Sequence, residues 1–434
     1  MTSIDRESGS VGVPRRVQRH SRIALRDPGR SFHSLVLIFA VILFTGAWYY
    51  PQTGLLGGAA EIDAPFAVPF RYMFWALAVL TTALHIARCG FFRFFQCVRL
   101  FIPFYLFGWI SAAAGVDIAA SARLLVFWAI MACSGAVLAA EIEEATFQKI
   151  VVRVLLVEML GSCLVAILAP SIGIMKGEGG AWRGAFDFKN TLGWIACWSL
   201  IVCCLFRRNI SAFELVVSVV LSVVAIVGAD SRTSLVVAAS VAVFYLALNS
   251  IRRLNLRAGV SCCIVLTLTI GACASAFLAW SALLDALGKD ATLTGRTVIW
   301  GMFYEQMTES WLFGQGPGAF TAPSDLTRPL AEALNYLGMI YTPHSMYLGV
   351  FGDGGFVGFL SLVFPLAYLA MYQPFHPRSD SALYCGCVAF MILAGGITET
   401  HRIYSFSFEG FMLIALHSYV RLATLKRRDF RRKR

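Results

Sequence analysis

The 434-residue chain is 58% hydrophobic and 14% charged, with a mean hydropathy of +0.71, which excludes a soluble domain of ordinary composition. Its formal net charge is +11 and its pI is near 9.2, but the basic residues flank apolar runs, as orientation of a polytopic membrane protein requires. Membrane lipids are therefore expected partners, and nucleic acid is not.

The first 33 residues are polar and carry Arg15, Arg16, Arg19, Arg22, Arg26 and Arg30. The apolar run that follows has no small-residue cleavage site after a short core, so it is expected to stay as the first helix. A bilayer core takes about 20 residues of helix. On that measure, twelve spans are expected, at 34–50, 70–86, 100–115, 124–140, 151–172, 191–206, 213–228, 234–251, 259–282, 355–372, 381–396 and 405–419. The C-terminal tail, 421–434, ends in Arg431-Arg432-Lys433-Arg434. Both tails and every second loop are rich in Lys and Arg, which predicts cytoplasmic termini. The expected fold is an all-α polytopic membrane protein of about twelve transmembrane helices. One large periplasmic loop, 283–354, would carry short surface helices between spans 34–282 and 355–420. The twelve cysteines fall in apolar runs or cytoplasmic segments, with no disulfide framework or zinc spacing. No repeat of 20 to 50 residues is visible.

The outside loops are poor in basic residues, and 51–68 has none. Arg183, Arg232, Arg296, Arg328 and Arg402 stand out against that background. Arg296 lies where Thr294 could cap a helix running to about residue 310, with Val298, Ile299, Trp300, Met302 and Phe303 on an apolar side. A helix start with a guanidinium offers a phosphate seat, and the helix is expected to lie on the membrane surface. Each arginine also has a plainer reading. Arg296 could meet lipid headgroups, Arg183 could pair with Asp187, and Arg232 with Asp230. Four arginines converging on one outer face are what a di-anionic ligand requires.

Thr342-Pro343 reads as the cap and first residue of a short helix ending at the Gly352-Asp353-Gly354-Gly355 turn. The helix dipole would then lower the pKa of His344 and leave a neutral imidazole able to act as a base. An interfacial, hydrogen-bonded histidine is the plainer alternative. The outside carboxylates Asp187, Asp230, Glu305, Glu309, Asp325, Glu332 and Glu399 show neither a glycosidase pair nor a metal-binding signature. The expected mechanism uses no metal and no cofactor.

His344-Ser345 followed, after nine residues, by Gly355-Phe356-Val357-Gly358 resembles the signature of the O-antigen ligase and Wzy-type polysaccharide polymerase superfamily. The stretch Leu293-Thr294-Gly295-Arg296-Thr297 is similar to that family's loop arginine motif, and Trp311-Leu312-Phe313-Gly314-Gln315-Gly316-Pro317-Gly318-Ala319-Phe320 to its loop consensus. Weaker likenesses cover Gly184 to Gly193, with Lys189, and Ser231-Arg232-Thr233-Ser234. The resemblance implies metal-independent glycosyl transfer at the periplasmic face of a bacterial inner membrane, from an undecaprenyl-diphosphate-linked oligosaccharide to an acceptor glycan. It implies that Arg183, Arg232, Arg296, Arg402 and Lys189 bind the diphosphate. Arg296 and His344 would be catalytic, the histidine accepting the acceptor's proton. A chain-length regulator is a candidate partner.

Ser345 stands where lipopolysaccharide ligases more usually show Asn, and the Leu-Thr-Gly-Arg-Thr stretch looks more like exopolysaccharide polymerases. Polymerase is therefore the expectation, with transfer to lipid A-core as the alternative. A transporter is the remote alternative. It should show two related halves and midplane charge, whereas the halves here are unlike and only Arg153 and Glu158 are candidates for midplane charges.

Overall fold

The computed structural model describes residues 28–47, 67–175, 179–278, 296–322, 324–333, 342–400 and 407–432. Among these the protein is helical, with one isolated antiparallel bridge between Ile174 and Trp182. The first half comprises α1 (Pro28–Thr45), α2 (Ala67–Cys89), α3 (Phe91–Val98), α4 (Ile102–Ala114), α5 (Ile118–Glu141), α6 (Glu144–Leu168), the single turn α7 (Pro170–Gly173) and α8 (Lys189–Leu205). The second comprises α9 (Ala212–Gly228), α10 (Arg232–Arg253), α11 (Ala258–Leu278), α12 (Arg296–Met307), α13 (Thr327–Ala333), α14 (Met346–Met371), α15 (Asp380–Gly395) and α16 (Phe408–Arg432).

Local signals set several starts. Asp117 accepts from Ala120 N at 2.9 Å before α5, Ser211 and Glu214 form a reciprocal capping box on α9, and Ser379 accepts from Ala382 N at 3.2 Å before α15. Among the described residues, six helices are long and apolar enough to cross a membrane: 72–89, 91–114, 118–141, 144–168, 232–253 and 346–375. Five more apolar helices are shorter, within α1, α8, α9, α11 and α15. Two of these short ones, α8 and α15, are buried nearly all round, as helices running through the centre of a bundle are. Against the expected twelve spans, the described residues offer six long apolar helices and five shorter ones. The C-terminal tail continues α16 as helix to Arg432.

Of the two candidate midplane charges, Arg153 is ion-paired and Glu158 holds one hydrogen bond, with its Oε2 buried and unpartnered among the described residues. Arg153 Nε meets Glu214 Oε1 at 2.7 Å, and the Thr45 hydroxyl donates to Glu158 Oε1 at 2.8 Å. The boundary expected between loop and span at 354/355 falls inside α14, where Gly355 breaks the helix at φ 63°. The core is one continuous apolar cluster through the bundle, and a second, smaller cluster of Ile299, Phe303, Met307, Ala319, Phe320 and Leu330 lies under α12.

Candidate functional site

One end of the bundle gathers the starts of α8, α10, α14 and α16 with the ends of α9 and α15. Trp182 N donates to Gly228 O at 2.7 Å, which seats the loop before α8 on the end of α9. Gly193 packs against Ser231 so closely that a Cβ would collide with it. Trp194, near the start of α8, donates to Glu409 in the first turn of α16, and Met346 N donates to Gly396 O at 2.8 Å. Of the six residues expected to form the site, five are described, and all five lie at this end. Arg402 lies outside the described residues.

Arg296 and His344 are brought together. Arg296 opens α12 with its side chain only 14% exposed, donates to the Thr398 carbonyl, and stands 3.5 Å from Glu399 Oε1. One turn on, Trp300 Nε1 donates to Pro343 O at 2.8 Å and fastens α12 to the residue before His344. The buried stripe of α12 is Ile299, Phe303 and Met307, at helical spacing, while Val298 is exposed. The apolar side expected of this helix is thus narrower in fact.

The backbone around His344 departs from the expected helix start. Thr342 and Pro343 do not open a helix; α14 begins at Met346 with Ser345 extended before it, and His344 sits at φ 49°, a left-handed conformation that histidine tolerates better than most residues. The helix dipole is therefore not what governs the imidazole. Burial is the main cause that lowers its pKa to about 4, and the Arg296 charge adds to it. The outcome, a neutral imidazole at neutral pH, is the same. Hydrogen bonds from Met346 N to Gly396 O and from Tyr347 OH to Leu393 O, at 2.8 and 2.6 Å, hold this corner to the end of α15.

Beneath that corner lies a frame that sequence reasoning missed. The carboxylate of Asp353, fully buried, accepts from Gly318 N at 2.9 Å, Phe320 N at 2.7 Å and the Thr321 hydroxyl. Its carbonyl accepts from Gly316 N at 2.9 Å and the Ser111 hydroxyl. Where Gly355 breaks α14, the helix restarts with N–H groups lacking helical acceptors. Phe356 N and Val357 N donate instead to the carbonyls of Trp311 and Leu312, at 2.7 and 3.2 Å. A Cβ at Gly355 would strike the Leu312 carbonyl. The 311–320 stretch therefore wraps the break in α14, the helix that follows His344. A lone acid within Gly352-Asp353-Gly354-Gly355 was the only signal available in the sequence.

The other two arginines make separate contacts. Arg183 Nε donates to Ile172 O at 2.6 Å, and among the described residues its terminal nitrogens have no hydrogen-bond partner. The plainer reading of Arg183, a pairing with Asp187, is not among its contacts with the described residues. Asp187 Oδ1 is instead buried without a partner among the described residues, as is Thr400 Oγ1. Arg232 Nε lies 3.9 Å from Asp230 Oδ1, with the arginine side chain 48% exposed, which is a weak surface pair. Lys189 is the first residue of α8. The arrangement is a set of cationic side chains around one neutral, half-buried imidazole.

Residues 217–363 match the family model described as O-Antigen ligase, a stretch that contains Arg232, Arg296, His344 and Asp353. No curated protein matches the chain.

Proposed function

We propose a reaction for this chain from one premise: through residues 217–363 it belongs to the O-antigen ligase and Wzy-type superfamily, whose members are glycosyltransferase-like membrane enzymes. The chain is a glycosyltransferase that takes a glycan from an undecaprenyl diphosphate carrier and adds it to an acceptor glycan at the periplasmic face of a bacterial inner membrane. Exopolysaccharide or O-antigen polymerisation is the preferred reaction.

In the proposed step the acceptor hydroxyl attacks the anomeric carbon, the bond from that carbon to the diphosphate oxygen breaks, and its electron pair leaves with the diphosphate. His344 takes the hydroxyl proton. Arg296, with Arg183 and Arg232 and with Lys189 and Arg402 at the margin, neutralises the charge that grows on the leaving group. Such stabilisation acts on the transition state more than on the ground state, and single donors of this kind contribute about 3 to 4 kcal/mol. The observation that carries the reading is the juxtaposition of His344, held neutral, with Arg296. A free arginine next to a protonated histidine could bind diphosphate but would offer no base.

The test is turnover of a labelled lipid-linked oligosaccharide by the purified protein in liposomes. Wild type should lengthen or transfer the glycan. Arg296→Ala and His344→Ala should bind to the same membranes in the same amount and form product at least about 10²-fold more slowly. Undiminished product from either variant would remove the proposed roles.

The ligase reading has the family description on its side, and the two are separable in vivo. Loss of high-mass exopolysaccharide with intact lipopolysaccharide in a deletion strain marks a polymerase, and bare lipid A-core marks a ligase.

A further inference from the structure

At the other end of the bundle, His85 and Cys89 lie one turn apart on the last two turns of α2, so both side chains share one face of the helix. Glu141, the final residue of α5, comes to the same place, with His85 Nδ1 2.7 Å from Glu141 Oε1. One ligand atom from each of the three residues lies within 4.8 Å of the other two. The location is fixed by α16: Tyr419 OH donates to Ile142 O at 3.0 Å, and Arg93 approaches Asp429 at 3.8 Å near the distal end of that helix. The starting turn of α16 is at the arginine mouth, so these contacts place the trio at the opposite face.

We propose that His85, Cys89 and Glu141 form a divalent-cation site of the zinc class that clamps α2 to α5, separate from the glycan-transfer site.

Three independent features support it. First, imidazole, thiolate and carboxylate are a mixed nitrogen, sulfur and oxygen set, which suits zinc and disfavours magnesium or calcium. Second, a tetrahedral ion with bonds of about 2.0 to 2.3 Å sets its ligand atoms roughly 3.3 to 3.8 Å apart. The present trio reaches that arrangement by shifts of about an ångström. Third, α2 and α5 both end here, and helix C-termini carry partial negative charge that attracts a cation. Cys89 is exposed while His85 is buried, so an ion could enter from the Cys89 side and keep water in its fourth position.

The clamp has something to hold. Along α2, Tyr72, Met73, Val79, Leu80 and Leu84 are exposed on the outside of the bundle, so this helix depends more than most on its contacts with α5. The hydrogen bond between His85 and Glu141 closes the pair without a metal, and Cys89 takes no part in it. Cys89 is therefore the discriminating residue. Binding converts its thiol to thiolate and releases one proton to solvent.

The experiment uses the full chain, purified in detergent, stripped with chelator and titrated with Zn²⁺ or Co²⁺ alone. One equivalent of Zn²⁺ should bind, Co²⁺ should give a thiolate charge-transfer band, and Zn²⁺ should slow maleimide labelling of Cys89 in the wild-type protein at least about tenfold. Cys89→Ser and His85→Gln should lose stoichiometric binding and the band, while Cys263→Ser, at an exposed cysteine elsewhere, should keep both. The labelling measurement needs no variant, so it stands even if a substitution impairs folding. A wild-type protein that takes up no Zn²⁺, a band that survives Cys89→Ser, or labelling indifferent to Zn²⁺ would overturn the site.

Discussion

Asp353 and Arg296 lie within the same stretch of the chain, yet the polar groups around them are enclosed to different degrees. Asp353 is fully enclosed, and its carboxylate accepts three hydrogen bonds. At the mouth, Arg296 donates to the Thr398 carbonyl and stands 3.5 Å from Glu399, Arg232 lies 3.9 Å from Asp230, and Arg183 donates its Nε to Ile172 O. Saturated, buried hydrogen bonding fixes a structure, whereas a half-exposed charge such as that of Arg232 is screened by solvent. The comparison separates residues that build the frame from residues proposed to act on substrate, although Arg232, Arg296, His344 and Asp353 all fall in the family-matched stretch.

The sharpest break in that comparison is Asp353→Ala. It leaves two backbone N–H groups and a hydroxyl without their acceptor in a dry interior, each costing about 1 to 3 kcal/mol. The variant should fail to accumulate in membranes, as read by quantitative immunoblot against total membrane protein. Normal abundance would mean that water or another acceptor reaches the 311–320 loop. Gly355→Ala should behave the same way, because an alanine there meets the Leu312 carbonyl and strains at φ 63°.

Next in size are the mouth residues, whose loss should spare abundance and reduce the rate. Arg296→Ala and His344→Ala are expected to lose about 10²- to 10³-fold in turnover. Arg232→Ala should cost less, since its guanidinium is half exposed and solvent-screened. If Arg296→Ala instead depleted the protein as Asp353→Ala does, the division between frame and mouth would fail.

Much of this division was legible in the sequence, and the reason is local. His344, Arg296 and the glycines around residue 355 lie in motifs of short spacing, and arginines announce themselves against an apolar background. The helix containing Arg296 was legible for the same reason. What was not legible depended on residues far apart in the chain. Asp353 finds its donors some 30 residues back, Ser111 reaches it across 242, and Glu399 meets Arg296 across 103. The trio of His85, Cys89 and Glu141 needed two helices to end side by side. The start of α14 was misjudged because Thr-Pro is a common helix opening, whereas here the left-handed backbone of His344 turns the chain before the helix begins.

The smallest expected effects probe how the mouth sets its base. In the free enzyme, His344 protonates near pH 4, so kcat/KM should be level above about pH 5 and fall tenfold per unit below pH 4. The stability linkage has the same direction. A histidine at 6.5 in the unfolded chain and about 4 in the native one favours the native state fully above pH 6.5, and that contribution is lost progressively as pH falls toward 4. Arg296→Gln removes the lesser cause and leaves burial, so the acid limb should move up only part of the way to 6.5. Glu399→Gln tests the opposite sign. Without the carboxylate the Arg296 charge is less compensated, which should lower the acid limb further and, by freeing the guanidinium for diphosphate, reduce KM a few-fold with kcat little changed. Parallel pH profiles of the wild type and these two variants decide it. An acid limb that Arg296→Gln leaves in place would show that burial alone keeps the imidazole neutral, and that arginine and base act without electrostatic coupling.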